Sequence, residues 1–150
     1  KYSGMLFAYL MRRTGDYYLS NDIMQESFTR YLKNYRKRSD SASLLFRIAR
    51  NALLDDQRKR NRTTTLEYDT EDKVGNPENH MMVRDEYRRV LLAMQQLGEK
   101  ERDTLAMVVS ADMSYCDIAE ITGTSEQNVK VRVHRARVKL RKIMAHGDQE

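Results

Sequence analysis

Apolar residues recur along most of this chain at spacings of three and four, which place side chains on one face of an α-helix. No stretch of useful length alternates between apolar and polar residues, and one proline and few glycines interrupt helix formation. The pattern predicts an all-α fold. Ser20 has the hydroxyl to cap the second helix. The predicted helices lie at about 3–13, 21–35, 42–60, 77–97, 99–110 and 115–122, with a long final helix beginning near 126.

The last third of the chain has the pattern of a helix-turn-helix, in which a glycine turn joins a short helix to a long one. Gly123 stands where the short helix ends, a position that favours the left-handed conformation that glycine adopts at little cost. Ser125 follows with a hydroxyl that can cap the long helix. One face of that helix is predicted to be core: Val129, Val133, Ala136 and Leu140.

The distribution of charge narrows the functions that such a fold can serve. The formal net charge is +5, but residues 1–62 carry +8, residues 63–83 carry −4 and residues 84–150 carry +1. No acidic residue lies between Gln127 and Gly147. A solvated helix normally mixes both signs, so a helix of one sign indicates a phosphate partner, although an amphipathic helix of another bundle is the alternative. Two basic lobes around an acidic connector indicate contact with nucleic acid at two places.

Two further segments complete a pattern typical of one protein family: Asp22-Ile23-Met24-Gln25-Glu26-Ser27-Phe28, and a run from Phe46 to Arg62 that contains Ile48-Ala49-Arg50-Asn51. With the helix-turn-helix they resemble a bacterial RNA polymerase sigma factor of the sigma-70 family, in the small two-domain type called extracytoplasmic-function (ECF). The resemblance covers nearly the whole chain in order. It implies a core-polymerase-binding and −10-recognition domain at 1–62, a flexible acidic linker at 63–76, and a helix-turn-helix domain recognising the −35 element at 77–150.

The resemblance implies an alternative sigma factor that directs promoter-specific initiation of transcription and assists promoter melting. By their spacing, Asp22, Gln25, Glu26 and Thr29 share one side of the second helix. On helix geometry alone, this side is either a surface for a protein partner or an ordinary solvated face. The matching element of ECF factors docks on the clamp helices of core polymerase. The resemblance therefore assigns to core binding or its support Asp22, Gln25, Glu26 and Phe28.

The third helix and the loop before it carry the residues that the resemblance implies for the −10 element. Asn51, Asp55 and Arg58 share a face at spacings of four and three. Arginine pairs with phosphates and asparagine can read a base edge, although solubilising charge also accounts for the basic cluster. The predicted −10 residues are Arg36, Lys37, Arg38, Arg47, Arg50, Asn51, Asp55 and Arg58. Leu44-Leu45-Phe46 stands where many members have Trp-Leu-Tyr, so no tryptophan is present for stacking or packing at that position.

By the same resemblance, the long C-terminal helix reads the −35 element in the major groove. Residues near its N-terminus are best placed for base edges, and the arginines that follow are better placed for phosphates. The predicted −35 residues are Ser125, Gln127, Asn128, Lys130, Arg132, Arg135, Arg137 and Lys139. Gln127-Asn128 stands where Gly-Thr is frequent in the family, which predicts an unusual −35 sequence.

The sequence shows little sign of a disulfide, a metal site, a catalytic site or a membrane span. Cys116 is the only cysteine, so no internal disulfide can form, which fits a reducing cytosol. Because Cys116 lies in the first helix of the turn motif, its side chain is predicted to be buried by packing, with a redox-sensing thiol as the alternative. The three histidines lack metal-ligand spacing, and no catalytic set or glycine-rich phosphate loop is visible. We therefore expect no metal, no cofactor and no enzyme. No apolar run approaches membrane-spanning length, so we expect no membrane contact of its own.

The expected partners are core RNA polymerase, promoter DNA and, as for many ECF factors, an anti-sigma protein. The resemblance places the protein in the bacterial cytoplasm, associated with the nucleoid when it is part of the holoenzyme. Three alternatives stay open. A helix-turn-helix regulator would bind an operator without core polymerase, a small nuclease would need the carboxylate or histidine cluster that the sequence lacks, and a pure interaction protein would sequester polymerase.

Overall fold

The described part of the protein consists of seven α-helices. The computed structural model describes residues 2–35, 42–63 and 85–148, and no strand occurs among them. The predicted all-α fold is therefore confirmed. The predicted loop at 36–41, the predicted linker beyond Thr63, and the predicted helix start near 77 lie outside the described residues, as do Arg36, Lys37 and Arg38. The helices are α1 (Ser3–Thr14), α2 (Tyr17–Tyr35), α3 (Ala42–Thr63), α4 (Asp85–Met94), α5 (Glu99–Ser110), α6 (Tyr115–Thr122) and α7 (Glu126–Asp148).

Helices α1, α2 and α3 form an N-terminal lobe, in which α2 packs against both of its neighbours. Gly15 ends α1 with a φ of 67°, and its N–H donates to the carbonyl oxygen of Met11, so the chain turns sharply into α2. The rings of Tyr9 on α1 and Phe46 on α3 lie 5.5 Å apart between centroids. Each helix contributes an apolar stripe to the lobe, and the buried residues include Leu6, Leu10, Ile23, Leu45, Phe46, Ala49 and Leu53.

The start of α2 corrects one prediction. The helix begins at Tyr17 rather than near 21, and Oδ1 of Asp16 caps it by accepting a hydrogen bond of 3.1 Å from the N–H of Leu19. Ser20, which was predicted to be the cap, is buried within the helix, and its Oγ lies 3.1 Å from Oγ1 of Thr14. Aspartate and serine are similarly good caps, so the earlier of the two starts the helix as soon as the chain has turned.

Helices α4 to α7 form a C-terminal lobe, in which α7 packs against the other three. Gly123 has a φ of 72° and ends α6, and the N–H of Thr124 donates to the carbonyl oxygen of Ala119 at 2.9 Å. Oγ of Ser125 accepts a hydrogen bond of 3.1 Å from the N–H of Asn128 and caps α7, as predicted. The helix-turn-helix is confirmed. Its buried residues are Ile118, Ala119, Ile121, Val129, Val133 and Ala136.

Cys116 is exposed, so the prediction of buried packing for this thiol is wrong. The buried side of α6 is set by Ile118, Ala119 and Ile121. Cys116 lies two positions before Ile118, and residues two apart on a helix point to different sides. An apolar-type residue in a short helix is thus left on the outer surface.

The two lobes pack against each other along a surface that we call the seam, formed by α1 and α3 on one side and by α4, α5 and α6 on the other. Nη1 of Arg12 on α1 donates to Oγ of Ser110 at 2.7 Å, and the carbonyl oxygen of Arg12 accepts from Nε2 of Gln95 at 3.1 Å. Buried apolar residues of both lobes belong to one continuous core. The hydrophobic pattern of the sequence predicted each lobe but not their contact.

Candidate nucleic-acid interface

The outward side of α7 is the first candidate surface for nucleic acid. Val129, Val133 and Ala136 are buried, so the opposite side of the helix faces solvent. The three residues predicted to reach base edges are all exposed near its N-terminal end: Gln127, Asn128 and Lys130. The hydroxyl of Ser125 is used as the helix cap and therefore holds the first turn of α7 in place.

The residues predicted to contact phosphates divide between two groups. Arg135 and Arg137 are exposed. Lys139 is also exposed, but its Nζ lies 2.9 Å from Oε2 of Glu101 on α5. Arg132 is half-buried and lines a cavity of about 350 Å³ at the seam. The flank of α7 that carries Arg132 and Lys139 is therefore turned towards the rest of the protein.

Two residues that the sequence analysis did not single out lie on the outward side of α7. Val131 and His134 follow Gln127 at spacings of four and seven, so the three share one ridge opposite to the buried face. His134 is exposed, and Val131 is half-buried although it points away from the core stripe. An apolar side chain at such a position can contact the methyl group of thymine. The sequence could have indicated this position, because Val131 is an apolar residue that does not fit the spacing of the buried Val129 and Val133.

The exposed face of α3 is the second candidate surface. Asn51, Asp55 and Arg58 are exposed together with Arg47, as their spacing predicted. The carboxylate of Asp55 lies between two arginines: Oδ1 is 3.8 Å from Nη1 of Arg58, and Oδ2 is 4.0 Å from Nη1 of Arg30 on α2. Exposed ion pairs of this kind contribute little to stability. The two arginines can therefore change partner at small cost.

The exposed edge of α2 adjoins the face of α3. Asp22, Gln25 and Glu26 are exposed, whereas Phe28 is half-buried and packs against the core of the lobe. Nη2 of Arg30 donates to Oε1 of Glu26 at 2.6 Å. Arg30 thus links this edge to Asp55 of α3, a role that the sequence analysis missed because the link crosses between two helices.

A third charged cluster lies inside the seam, centred on Asp103 of α5, which is 4% exposed. Oδ1 of Asp103 accepts a hydrogen bond of 2.5 Å from the hydroxyl of Tyr9 and lies 2.9 Å from Nε of Arg13. Oδ2 accepts a hydrogen bond of 2.8 Å from Nε of Arg50. Tyr9 and Arg13 belong to α1, and Arg50 belongs to α3. One buried carboxylate of the C-terminal lobe therefore binds two helices of the N-terminal lobe.

The cluster changes the pKa values of its members. Burial raises the pKa of the Tyr9 hydroxyl well above its ordinary value, and the negative charge of Asp103 raises it further. Burial lowers the pKa of the Arg13 guanidinium, but the charges of Asp103 and its other neighbours raise that pKa by more. Near neutral pH, the Tyr9 hydroxyl therefore keeps its proton and Arg13 keeps its positive charge.

Arg50 occupies a different position from the other described residues of the predicted −10 set. Its side chain is 21% exposed, and besides Asp103 it contacts the carbonyl oxygen of Ile121, at 3.5 Å from Nη1. Ile121 lies in the last turn of α6, where the carbonyl groups of a helix attract cations. Arg50 is thus held by both α5 and α6 of the other lobe.

The described ranges 2–35, 42–63 and 85–148 contain no group of three or more histidine, cysteine, aspartate and glutamate side chains arranged to hold a metal ion. Nor does any helix in these ranges combine the length and the apolar character that crossing a membrane requires.

Comparison with protein families gives two matches that follow the two lobes. Residues 1–63 match the family model described as sigma-70 region 2, and this range includes α1, α2 and α3 of the N-terminal lobe. Residues 87–140 match the family model described as sigma-70, region 4, which spans most of the C-terminal lobe. The candidate surfaces on α2 and α3 fall in the first match, and that on α7 falls in the second.

Known proteins similar to the chain over most of its length carry related names. The ECF RNA polymerase sigma factor SigM of Bacillus subtilis is 28% identical over 155 residues, covering 97% of this chain and 92% of that protein. The ECF RNA polymerase sigma factor EcfG of Rhodopseudomonas palustris is 29% identical over 142 residues, covering 93% of this chain and 78% of that protein. Among solved structures, the sigma factor RpoE in complex with the anti-sigma factor NepR from Bartonella quintana has the same fold, with a TM-score of 0.70 at 20% identity over 93% of this chain and 89% of that one.

Proposed function

Because this chain belongs to the sigma-70 family, among its extracytoplasmic-function members, we propose that it is an alternative sigma factor that binds core RNA polymerase and directs promoter-specific initiation of transcription. The observation that carries the proposal is the placement of two candidate nucleic-acid surfaces, on α3 and on α7, in two separately matched regions. A protein that reads two promoter elements needs two such surfaces.

In this proposal, a domain at 1–62 binds core polymerase through the exposed edge of α2. Asp22, Gln25 and Glu26 supply hydrogen-bonding groups on that edge, and Phe28 supports it from the core of the lobe. The ion pair between Arg30 and Glu26 is exposed on both sides, so it can open when a partner binds. Core binding therefore depends on polar contacts that are available on the surface.

The −10 element is bound by the adjoining face of α3. Asn51 carries an amide that can pair with a base edge, while Arg47, Arg50 and Arg58 carry guanidinium groups that suit phosphates. Asp55 lies 3.8 Å from Arg58 in an exposed ion pair, which can open when a phosphate binds the arginine. Arg36, Lys37 and Arg38 belong to this surface on sequence grounds alone. Melting a promoter requires unstacked bases, each costing a few kcal/mol, and contacts of this kind offset that cost.

The −35 element is read by α7 of a domain at 77–150, which a linker at 63–76 connects to the first. Gln127, Asn128 and Lys130 reach base edges, and Ser125 holds the first turn of the helix. Arg135 and Arg137 bind phosphates from exposed positions. Arg132 and Lys139 complete the set, and for Lys139 this requires a change of partner from Glu101.

The protein carries out no chemistry of its own and uses neither metal nor cofactor. It acts in the bacterial cytoplasm, with core RNA polymerase and promoter DNA as partners, and joins the nucleoid within the holoenzyme. An anti-sigma protein is a further partner, as in the solved structure of RpoE with NepR. Exposed apolar side chains on both lobes suit such a protein, among them Leu32 on α2 and Leu92 on α4.

The test is transcription in vitro. Purified protein is added to core polymerase free of sigma factors, with genomic DNA as template, and the transcripts are sequenced. We expect discrete new start sites that share two upstream motifs. No new transcripts, with an active core and a working control sigma factor from the same bacterium, would contradict the proposal and favour an operator-binding regulator.

A binding experiment assigns the polymerase surface. Substitution of both Gln25 and Glu26 by alanine should abolish capture of the protein by immobilised core polymerase. Glu120→Ala, an exposed substitution on α6, serves as the matched control and should leave capture unchanged. Equal capture of both variants would contradict the assignment of α2 to core binding.

A further inference from the structure

We propose that the cavity beside Arg132 is a binding site for the phosphate group of a small molecule, either free phosphate or a phosphorylated organic compound such as a nucleotide. The cavity has a volume of about 350 Å³, which lies at the lower end of the range for small-molecule sites. Its lining comes from α1, α3, α5 and α7 and from the end of α6. A site of this size encloses a small molecule rather than a stretch of DNA, so the proposal goes beyond the proposed function.

The charged side chains around the cavity leave it with an excess of positive charge. Four of them are cations and two are carboxylates, so the formal charge of the lining is +2: Arg13, Arg50, Lys100 and Arg132 against Glu99 and Asp103. A phosphate monoester carries a charge of about −1.5 to −2 near neutral pH. One phosphate group therefore balances the lining, whereas a single carboxylate balances only half of it.

Arg13 supplies a second and independent observation. Its side chain is 2% exposed, and its Nη1 has no hydrogen-bond partner among the residues that the structure describes. Asp103 does not satisfy that atom, because its Oδ1 lies 2.9 Å from Nε of the same arginine. Buried charged donors nearly always have an acceptor, since leaving one unsatisfied is unfavourable. Because Arg13 lines the cavity, a phosphate oxygen inside it can be this acceptor.

The other three cations of the lining can hold the same phosphate group. Nε of Arg50 donates to Asp103 at 2.8 Å, whereas its Nη1 has only a contact of 3.5 Å with the carbonyl oxygen of Ile121. Arg132 and Lys100 form no ion pair with any residue in the described ranges. Arginine binds phosphate through two N–H groups, and lysine binds it as a point charge. Cations from four helices therefore line one site.

The cavity also has a wall for the organic part of a phosphorylated compound and a route from solvent. Leu54 of α3 is half-buried and lines the cavity with an apolar side chain. Lys100 and Gly123 belong to the same lining and are exposed, so a small molecule can reach the site. Inorganic phosphate would contact only the charged part of the lining, and a nucleotide would contact the apolar part as well.

Titration of the full chain, followed by the amide signals in nuclear magnetic resonance, tests the site. The probes are inorganic phosphate, adenosine 5′-monophosphate and adenosine at about pH 7, where the phosphate group carries most of its charge. Sodium chloride keeps the ionic strength constant. We expect the two phosphate compounds, but not adenosine, to shift the amide signal of Gly123 until it saturates. Gly4 on α1 lies outside the lining, and its signal should not shift.

Arg132→Gln tests whether the cations of the lining hold the phosphate. It should weaken binding of phosphate at least about tenfold, because charge-assisted hydrogen bonds are lost. Arg141→Gln is the matched control, since it removes the same group from an exposed position of the same helix outside the lining, and it should leave the affinity unchanged. Arg13→Lys keeps the positive charge beside Asp103 but removes Nη1, and it should also weaken binding. Circular dichroism confirms that each variant is folded.

The two phosphate compounds distinguish the sources of the ligand. Equal affinities would identify free phosphate, and tighter binding of the nucleotide would identify a phosphorylated organic compound. No saturable shift of Gly123 with either compound, or equal affinities of the unaltered protein and folded Arg132→Gln, would overturn the proposal. Shifts confined to exposed amides of α7 would also overturn it, because they would show only a general attraction of anions to a basic helix. None of these measurements uses polymerase or promoter DNA, so a failure of the proposed function would appear only in the transcription assay.

Discussion

The hydroxyl of Tyr9 gives the seam a dependence on pH that a single substitution removes. Burial and the charge of Asp103 raise its pKa in the folded protein well above its ordinary value. Below about pH 10, the hydroxyl is protonated in both the folded and the unfolded state and adds no pH dependence. Above about pH 10, the unfolded chain loses the proton while the folded protein keeps it. The unfolded state then binds fewer protons, so the free energy of unfolding falls as the pH rises towards the folded pKa.

The size of this effect follows from one proton. With an unfolded pKa of about 10, the loss is about 0.8 kcal/mol at about pH 10.5, and its slope approaches about 1.4 kcal/mol per pH unit. Tyr9→Phe removes the proton and keeps the ring that packs 5.5 Å from that of Phe46. At neutral pH, the variant loses a hydrogen bond to a charged group, which costs about 1.5–3 kcal/mol. Asp103 keeps both of its arginines in this variant.

The assay is unfolding by urea, followed by circular dichroism at about pH 8 and about pH 10.5. We expect the unaltered protein to be the more stable at about pH 8, and its advantage over Tyr9→Phe to shrink by about 0.8 kcal/mol at about pH 10.5. Tyr18→Phe, at a side chain that is 50% exposed, controls for the loss of one tyrosine hydroxyl. An advantage that is the same at both pH values would refute the reasoning, because a buried hydroxyl that keeps its proton must produce this change.

Three further predictions concern α7. Arg135→Ala should weaken binding of holoenzyme to a −35 duplex and reduce the slope of log affinity against log salt by about 0.9, and an unchanged slope would contradict a phosphate contact. Ser125→Ala should lower the free energy of unfolding by about 1 kcal/mol, whereas Ser125→Gly should lower it by only a few tenths of a kcal/mol. Unfolding by urea measures both values, and equal effects of the two substitutions would mean that the cap contributes nothing. Val131→Ala should reduce the preference for thymine at one −35 position by about 0.8 kcal/mol, the contribution of one apolar group of methylene size removed from water. Competition between duplexes that differ at that base pair measures this preference, and an unaltered preference at every position would exclude contact with a methyl group.

The local structure of the turn motif could be predicted from the sequence because the physical causes are local. Gly123 is left-handed, and Ser125 caps the next helix through an atom only three residues away. The same reasoning was wrong at Ser20, because two capping residues stand close together and the choice between them depends on where Gly15 turns the chain. It was wrong at Cys116 because residue type was given more weight than the position of the thiol on the helix.

The exposed candidate residues could also be placed from the sequence, since helical spacing decides which side chains share a face. Asn51, Asp55 and Arg58 are exposed together, as are Gln25 and Glu26. Spacing does not show which residues of a different helix lie opposite. Arg30 therefore escaped notice as the link between Glu26 and Asp55.

Arg50 shows where helical spacing stops being informative. On α3 it follows Arg47 by one turn, and a pattern of charges gives no reason to separate the two. The structure separates them, because Arg47 is exposed while Arg50 is held by Asp103, 53 residues later. The surroundings of Asp103 on α5 indicate that its carboxylate needs a partner, because Thr104 and Met107 beside it are buried. A carboxylate among buried residues needs a cationic partner. Only three-dimensional packing shows that its partners are Arg13 of α1 and Arg50 of α3, so that the residue that stabilises the contact between the lobes also occupies an arginine suited to DNA.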